Sequence, residues 1–199
     1  MNTGWRVNKG DVINRFLVTA RQEQPYFSEP DTLPDNVNYR FINGFVDVGT
    51  LPCRVRFLRE EALRQVTLPK TLLFERLWTG GDECHTVSFS DFWPTPTQVQ
   101  CFSRALLLSD SEQTAPFTLS PCGGVTLWLN GVQITRFTPF TRNVEQSCEI
   151  ALPLHPGKNT LIVHAEELCE RDTDYVFRLC YLGESSLEWQ LTEDDALSA

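Results

Sequence analysis

Residues 125–137 read VTLWLNGVQITRF, with alternating apolar and polar residues on both sides of Asn130-Gly131. An Asn-Gly pair tolerates the two positive φ angles of a type I′ turn, so this segment predicts a β-hairpin. The turn fixes the cross-strand pairs, which are Leu129 with Val132, Trp128 with Gln133 and Leu127 with Ile134. The aliphatic face is expected to be buried, and Trp128 lies on the opposite face.

A second hairpin is predicted at Asn43-Gly44, where Arg40 and Asp47 would face each other with opposite charges. The 12 Pro, 11 Gly, 13 Phe and 5 Trp with a single Met also favour strands and turns over a helix bundle. Helix is predicted only at 59–66, so the chain is expected to be all-β with at most one or two short helical turns. Strands are predicted near 12–20, 37–42, 45–48, 53–58, 71–77, 84–90, 97–109, 115–120, 124–129, 132–138, 146–154, 159–167 and 174–182.

A net charge of -9 argues against nucleic acid as a partner, because such a chain repels phosphate groups. Charged residues interrupt the first thirty positions, and no stretch has the length of an apolar membrane span, which predicts a cytoplasmic protein without a membrane partner. The odd number of cysteines, seven, lacks the close spacing of a disulfide scaffold, so most are expected to be reduced and buried.

The sequence is interpreted as one sandwich domain over residues 1–187. Residues 188–199 contain an acidic run and are interpreted as a tail, or as the start of a connection to a further domain. Surface excursions are predicted at the prolines of 25–34 and at 88–97, SFSDFWPTPT.

Two segments carry a family resemblance: GGVTLWLNG at 123–131 and LHPGKNTLIV at 154–163. Their motifs and spacing resemble the galactose-binding-like jelly-roll sandwich attached to bacterial glycoside hydrolases and related carbohydrate-active enzymes. The resemblance implies an antiparallel jelly-roll β-sandwich. Its motif residues are expected to shape turns, with Asn159 bonding to nearby backbone; they are Asn130, Gly131, Pro156, Gly157 and Asn159.

The resemblance implies a non-catalytic carbohydrate-binding or scaffold domain, ancillary to a carbohydrate-active enzyme, whose partner is a glycan or a following catalytic domain. Two alternatives stand beside it. The chain is a protein–protein interaction or assembly module of a bacterial cytosolic protein, or it is the accessory part of a longer glycoside hydrolase. No catalytic residue is assigned, because the sequence holds no GxSxG, P-loop or GxGxxG motif.

Sugars stack their C–H faces on aromatic rings and bond their hydroxyls to charged side chains. The candidate ligand residues are Trp93, Trp128, Trp78, Arg171 and Asp172. The alternative is that the three rings pack inside the sandwich or its loops, as most tryptophans do. Arg136 is expected in a buried or edge ion pair.

No cofactor is expected. The acidic residues of the 166–174 segment are interpreted as a solvated loop between strands, with a bound Ca²⁺ or a sugar-contacting loop as the alternative; they are Glu166, Glu167, Glu170, Asp172 and Asp174. Zinc is not expected, because adjacent Cys84 and His85 would point to opposite faces of a strand, and His164 with Cys169 supplies too few ligands.

Overall fold

The computed structural model describes residues 3–7, 14–26, 57, 61, 63–80, 85–139, 145–184 and 187–191; for 3–7, 14–15, 76–80, 85–86 and 188–191 it describes only the backbone. These residues form thirteen strands. They are β1 (Thr3–Val7), β2 (Asn14–Thr19), β3 (Gln22–Pro25), β4 (Phe74–Gly80), β5 (His85–Ser88), β6 (Asp91–Ser109), β7 (Gln113–Pro121), β8 (Gly124–Leu129), β9 (Val132–Phe137), β10 (Cys148–Leu154), β11 (Gly157–Thr173), β12 (Val176–Tyr181) and β13 (Leu187–Leu191).

The strands form two antiparallel sheets that pack face to face, which confirms the predicted β-sandwich. The larger sheet runs β1-β13-β6-β11-β8-β9, and β2, β3 and β4 join it through β6 or β2. The smaller sheet runs β10-β7-β12-β5. Strands β6 and β11 are 19 and 17 residues long and pair over almost their whole length, so they form the long axis of the larger sheet.

The sandwich core follows from the period-two alternation of strands from both sheets. On β11, the residues at 161, 163, 165 and 169 enter the core, while Phe117, Leu119, Phe177 and Leu179 meet them from the smaller sheet. Strand β8 is buried on both faces, since Thr126 and Trp128 on the non-core face are buried as well. The larger sheet is therefore covered on its outer side along this strand.

The Asn130-Gly131 turn has positive φ angles of 50° and 81°, as the sequence predicts. The pairs Leu129–Val132 and Trp128–Gln133 are confirmed, but a bulge then pairs Leu127 with Thr135 instead of Ile134. The extra residue of the bulge increases the local twist of the hairpin. Val132, expected on the buried face, is exposed beside the turn.

The two motifs of the family resemblance meet in space. The amide nitrogen Nδ2 of Asn130 donates to Oδ1 of Asn159 over 2.9 Å, and Oδ1 of Asn130 accepts from the backbone N–H of Thr160. Asn159 is buried; it donates to the carbonyls of His155 and Gly157 and accepts from the N–H of His155. The predicted local bonding of Asn159 is confirmed, and the bond to Asn130 fastens the two turns together.

Other segments differ from the sequence-based expectations. The 88–97 segment is not a surface excursion: β6 begins at Asp91 and pairs with β11 from its first residue. Strands β1, β3 and β13 were not predicted, and β13 crosses position 188, where a terminal segment was expected to begin. In the predicted helical segment, residues 61 and 63 are helical but 64–69 are not. The predicted turn at Asn43 and Gly44 lies outside the described residues.

Four cysteines of the described part are free, and three of them, Cys101, Cys122 and Cys169, are buried, which agrees with the expectation for most of the set. Cys180 is disulfide-bonded instead. Among the described residues, no helix has the length and apolar character needed to span a membrane.

Candidate functional site

A polar cleft of about 470 Å³ opens where the β2–β3 connection, the start of β4 and the β5–β6 connection meet. Antiparallel pairing of β2 with β4 places Thr19 opposite Phe74, and the side chain of Arg21 contacts Phe89 and Asp91 at the β5–β6 connection. The residues that line the cleft are Thr19, Ala20, Arg21, Glu75, Ser88, Phe89, Ser90 and Asp91. Its volume lies within the range of small-molecule sites, which is roughly 300 to 1,000 Å³.

Arg21 occupies the centre of the charged groups at this cleft. Its Nη1 lies 2.9 Å from Oδ2 of Asp91 and donates to the carbonyl of Phe89, and its Nε lies 3.4 Å from Oε1 of Glu23. The side chains of Arg21 and Asp91 are 32% and 54% exposed, so water screens this pair. The pKa of Asp91 is lowered by the backbone N–H of Phe92 and by Arg21, so its carboxylate is ionised at neutral pH.

The indole ring of Trp93 packs against the guanidinium of Arg21. The guanidinium lies 5.4 Å from the ring centroid, in cation–π geometry. The indole Nε1 donates to Oε1 of Glu23 over 3.2 Å, so Glu23 contacts both Arg21 and Trp93. Trp93 therefore positions the charged groups of the cleft from a buried site.

Hydroxyl groups supply the rest of the polar lining. The Oγ atoms of Ser88 and Ser90 lie 3.2 Å apart, and Oγ of Ser90 accepts from the backbone N–H of Tyr175. Oγ1 of Thr19 accepts from the N–H of Phe102 and donates to the carbonyl of Ala20. Glu75 lines the cleft and its side chain is exposed, so it is accessible to solvent and to a ligand.

The structure places the predicted ligand residues in three different settings. Trp93 and Trp128 are each only 4% exposed, so neither ring offers an open face on which a sugar could stack. Trp128 instead stacks on Phe102, with ring centroids 6.4 Å apart, on the outer side of the larger sheet. Trp93 instead contacts Arg21 and Glu23 beside the cleft. The side chain of Trp78 lies outside the described set, and its backbone pairs with Phe16.

Arg171 and Asp172 lie near the cleft end of the sandwich. Their backbones pair with Trp93 and Phe92, and both side chains are exposed. Arg171 has a φ of 57° and follows a bulge at the end of β11. The structure thus places Arg171 and Asp172 on the strand next to Trp93. The residues that line the cleft are different ones, which the sequence analysis did not single out.

A buried ionic cluster lies on the outer side of the larger sheet. Glu166 and Glu167, expected in a solvated loop, are each only 1% exposed on β11, so that expectation is wrong for these two residues. Glu166 pairs with Arg64 at 2.5 Å and with Arg136 at 3.0 Å. The ion pair expected of Arg136 is confirmed, and Arg136 also donates to Oγ1 of Thr126 and to the carbonyl of Glu61.

Gly123 and Gly124 make room for these carboxylates. A Cβ atom at Gly123 would lie 2.5 Å from the carbonyl oxygen of Glu166, and one at Gly124 would clash with Oε1 of Glu61. Gly124 is the first residue of β8, so the pair is more than a simple turn. Over the described residues, no group of three or more His, Cys, Asp or Glu side chains could hold a metal ion.

His164 neighbours this cluster on the same face of β11. Its Nε2 lies 2.9 Å from Oε1 of Gln100, and its ring centroid lies 4.7 Å from that of Phe102. The pKa of His164 is lowered to about 4, chiefly by burial; Glu166 raises it, and Arg136 and Arg64 lower it. The imidazole is therefore neutral at neutral pH.

Comparisons with known proteins find solved structures that resemble part of this chain. No family model and no curated protein sequence matches the chain. A β-glucosidase from Kluyveromyces marxianus in complex with glucose matches 53% of this chain and 14% of its own, at 11% identity and a TM-score of 0.41. A GH31 α-xylosidase from Xanthomonas citri matches 60% of this chain and 16% of its own, at 12% identity and a TM-score of 0.35.

A family 35 carbohydrate binding module from Clostridium thermocellum matches 48% of this chain and 90% of its own, at 8% identity and a TM-score of 0.31. The chain thus spans only a small part of the two enzymes above. The identities and TM-scores are low, and the function of this chain is inferred from its own residues.

Proposed function

We propose that this chain is a non-catalytic carbohydrate-binding domain and that the polar cleft at Arg21 and Asp91 is its ligand site. We also propose that the domain is ancillary to a carbohydrate-active enzyme. The observation that supports the first proposal is the composition of the cleft. Guanidinium, carboxylate and hydroxyl groups surround one volume of about 470 Å³.

A sugar presents several hydroxyls that each donate and accept, so it needs a site with both kinds of partner. The carboxylates of Asp91 and Glu75 accept, Arg21 donates, and the hydroxyls of Ser88 and Ser90 do either. Hydrogen bonds to charged groups are stronger than neutral ones, which favours hydroxyl recognition here. Binding would depend on polar contacts at the cleft rather than on stacking, because the nearby Trp93 ring is buried.

A titration of the isotopically labelled chain with monosaccharides and short oligosaccharides at millimolar concentration tests this function. The amide resonances of residues 19–21 and 88–91 are expected to shift in a saturable manner. Arg21→Lys keeps the charge and removes the forked donor geometry, so it is expected to weaken binding about two- to tenfold.

The matched control is Arg178→Lys, which changes an exposed ion pair with Glu145 that does not line the cleft. Its affinity is expected to equal that of the unmodified chain. The proposed function is wrong if no sugar shifts the cleft resonances at millimolar concentration. A stable dimer in light scattering, together with that result, would favour the assembly module instead.

A further inference from the structure

The cleft carries an excess of negative charge. Two carboxylates, Glu75 and Asp91, line it beside a single cation, Arg21. A third carboxylate, Glu23, contacts the same guanidinium at 3.4 Å. The lowered pKa of Asp91 keeps that group ionised even in mildly acid solution. A ligand entering the cleft therefore meets a net negative local charge.

Arg21 is already engaged on two sides. Its Nη1 is held by Asp91 and by the carbonyl of Phe89, and its Nε side faces Glu23. An anionic ligand that pairs with this guanidinium would lie beside the carboxylates of Asp91 and Glu23. These carboxylates would repel the anion at short range, and the net charge of -9 on the chain adds a repulsion at longer range.

We propose that the cleft selects its sugars by charge, preferring amino sugars with a protonated amine over neutral sugars and disfavouring uronic acids. This inference rests on the proposed function, since it names the class of ligand for the same site. Glu75 supplies the discriminating charge most directly, because it lines the cleft, is exposed and forms no ion pair with another described residue. A protonated amine would bind between Glu75 and Asp91, where an uncharged hydroxyl only accepts or donates a hydrogen bond.

The test compares glucose, glucosamine and glucuronic acid, and the galactose counterparts of all three, in nuclear magnetic resonance titrations at pH 6 and low salt. Each step in the order amino, neutral and acidic is expected to weaken binding about two- to fivefold, the effect of one exposed ion pair. The differences are expected to shrink in 0.5 M NaCl, where the screening length falls to roughly 4 Å.

Glu75→Gln removes one charge and keeps the shape of the side chain. It is expected to weaken binding of the amino sugar more than that of the neutral sugar, which brings the two affinities to within about twofold of each other. Glu149→Gln is the matched control, because Glu149 is an exposed glutamate on β10. Strands β10 and β5 are the two edges of the smaller sheet, three strand spacings or about 14 Å apart. This control is expected to keep the preference of the unmodified chain.

The outcomes separate the two proposals. Neutral sugars that bind at the cleft while the uronic acid binds equally well, or better, would overturn the charge selection and leave the carbohydrate site standing. An unchanged preference in the Glu75→Gln variant would also overturn the charge selection. If none of the six sugars shifts the cleft resonances, the carbohydrate site itself is wrong and the charge selection falls with it.

Discussion

Replacement of Glu166 by glutamine measures how much the buried ionic cluster contributes to stability. Glutamine matches the size of glutamate, so the change removes one negative charge with little effect on packing. It leaves Arg64 and Arg136 without their shared counter-charge, in side chains that are 29% and 17% exposed. Removal of one partner from a fully buried ion pair costs about 3–5 kcal/mol. Partial hydration of the two guanidinium groups reduces this, so we expect the variant to lose about 2–3 kcal/mol of unfolding free energy.

Urea unfolding followed by tryptophan fluorescence tests this value. With a denaturant slope of about 2 kcal/mol per molar, the midpoint is expected to fall by roughly 1 to 1.5 M. Glu145→Gln is the matched control, because Glu145 pairs with Arg178 at 2.7 Å where both side chains are more than a third exposed. That variant is expected to lose less than about 1 kcal/mol. Equal losses in the two variants would refute the claim that burial makes the Glu166 pairs important.

Three further predictions concern residues of the same sandwich. Gly123→Ala is expected to lose about 2–3 kcal/mol in urea unfolding, because the new Cβ would lie 2.5 Å from a backbone oxygen; a loss under 0.5 kcal/mol would contradict the observed packing. His164 has a folded pKa of about 4, below its unfolded value, so the unfolded chain binds the extra proton and stability falls as the pH drops from 6.5 towards 4. Between pH 6.5 and pH 4, the difference in unfolding free energy between the unmodified chain and the His164→Gln variant is expected to change by about 3 kcal/mol. A difference that stays constant over this pH range would refute the lowered pKa of His164. Burial raises the pKa of Cys122 to about 11. Alkylation of the Cys122 thiol at pH 8, followed by mass spectrometry, is therefore expected to be about a hundredfold slower in the native chain than in the unfolded chain. Equal rates would contradict a buried thiol.

The features that the sequence predicts well are determined by short-range interactions. The positive φ angles of Asn130 and Gly131 and the local bonds of Asn159 involve residues within a few positions, so pattern and residue type suffice. The bulge in the same hairpin was missed because the turn sequence predicts a regular register, and alternation along one strand does not encode an extra residue in its partner.

The cleft and the ionic cluster were missed because their partners are far apart in the sequence. Glu166 lies in an acidic run that looks solvated, and its burial depends on Arg64, about a hundred residues earlier. Trp93 lies in a Pro-rich segment that reads as a surface excursion, yet its ring contacts Arg21 and Glu23, about 70 residues earlier in the sequence. A local sequence signal cannot separate such side chains from surface ones, because desolvation depends on the three-dimensional neighbours.

The pairing of β6 with β11 implies slow folding. This ladder joins residues roughly 50 to 80 positions apart, and strands β7 to β10 lie between its two halves in the sequence. Loop closure over such distances must precede the stabilising contacts, so domains dominated by distant pairings fold in milliseconds to seconds. The β8–β9 hairpin can form first, and the bond between Asn130 and Asn159 then brings the start of β11 to the end of β8. Asparagine at these two positions would thus guide the order of assembly as well as shape the turns.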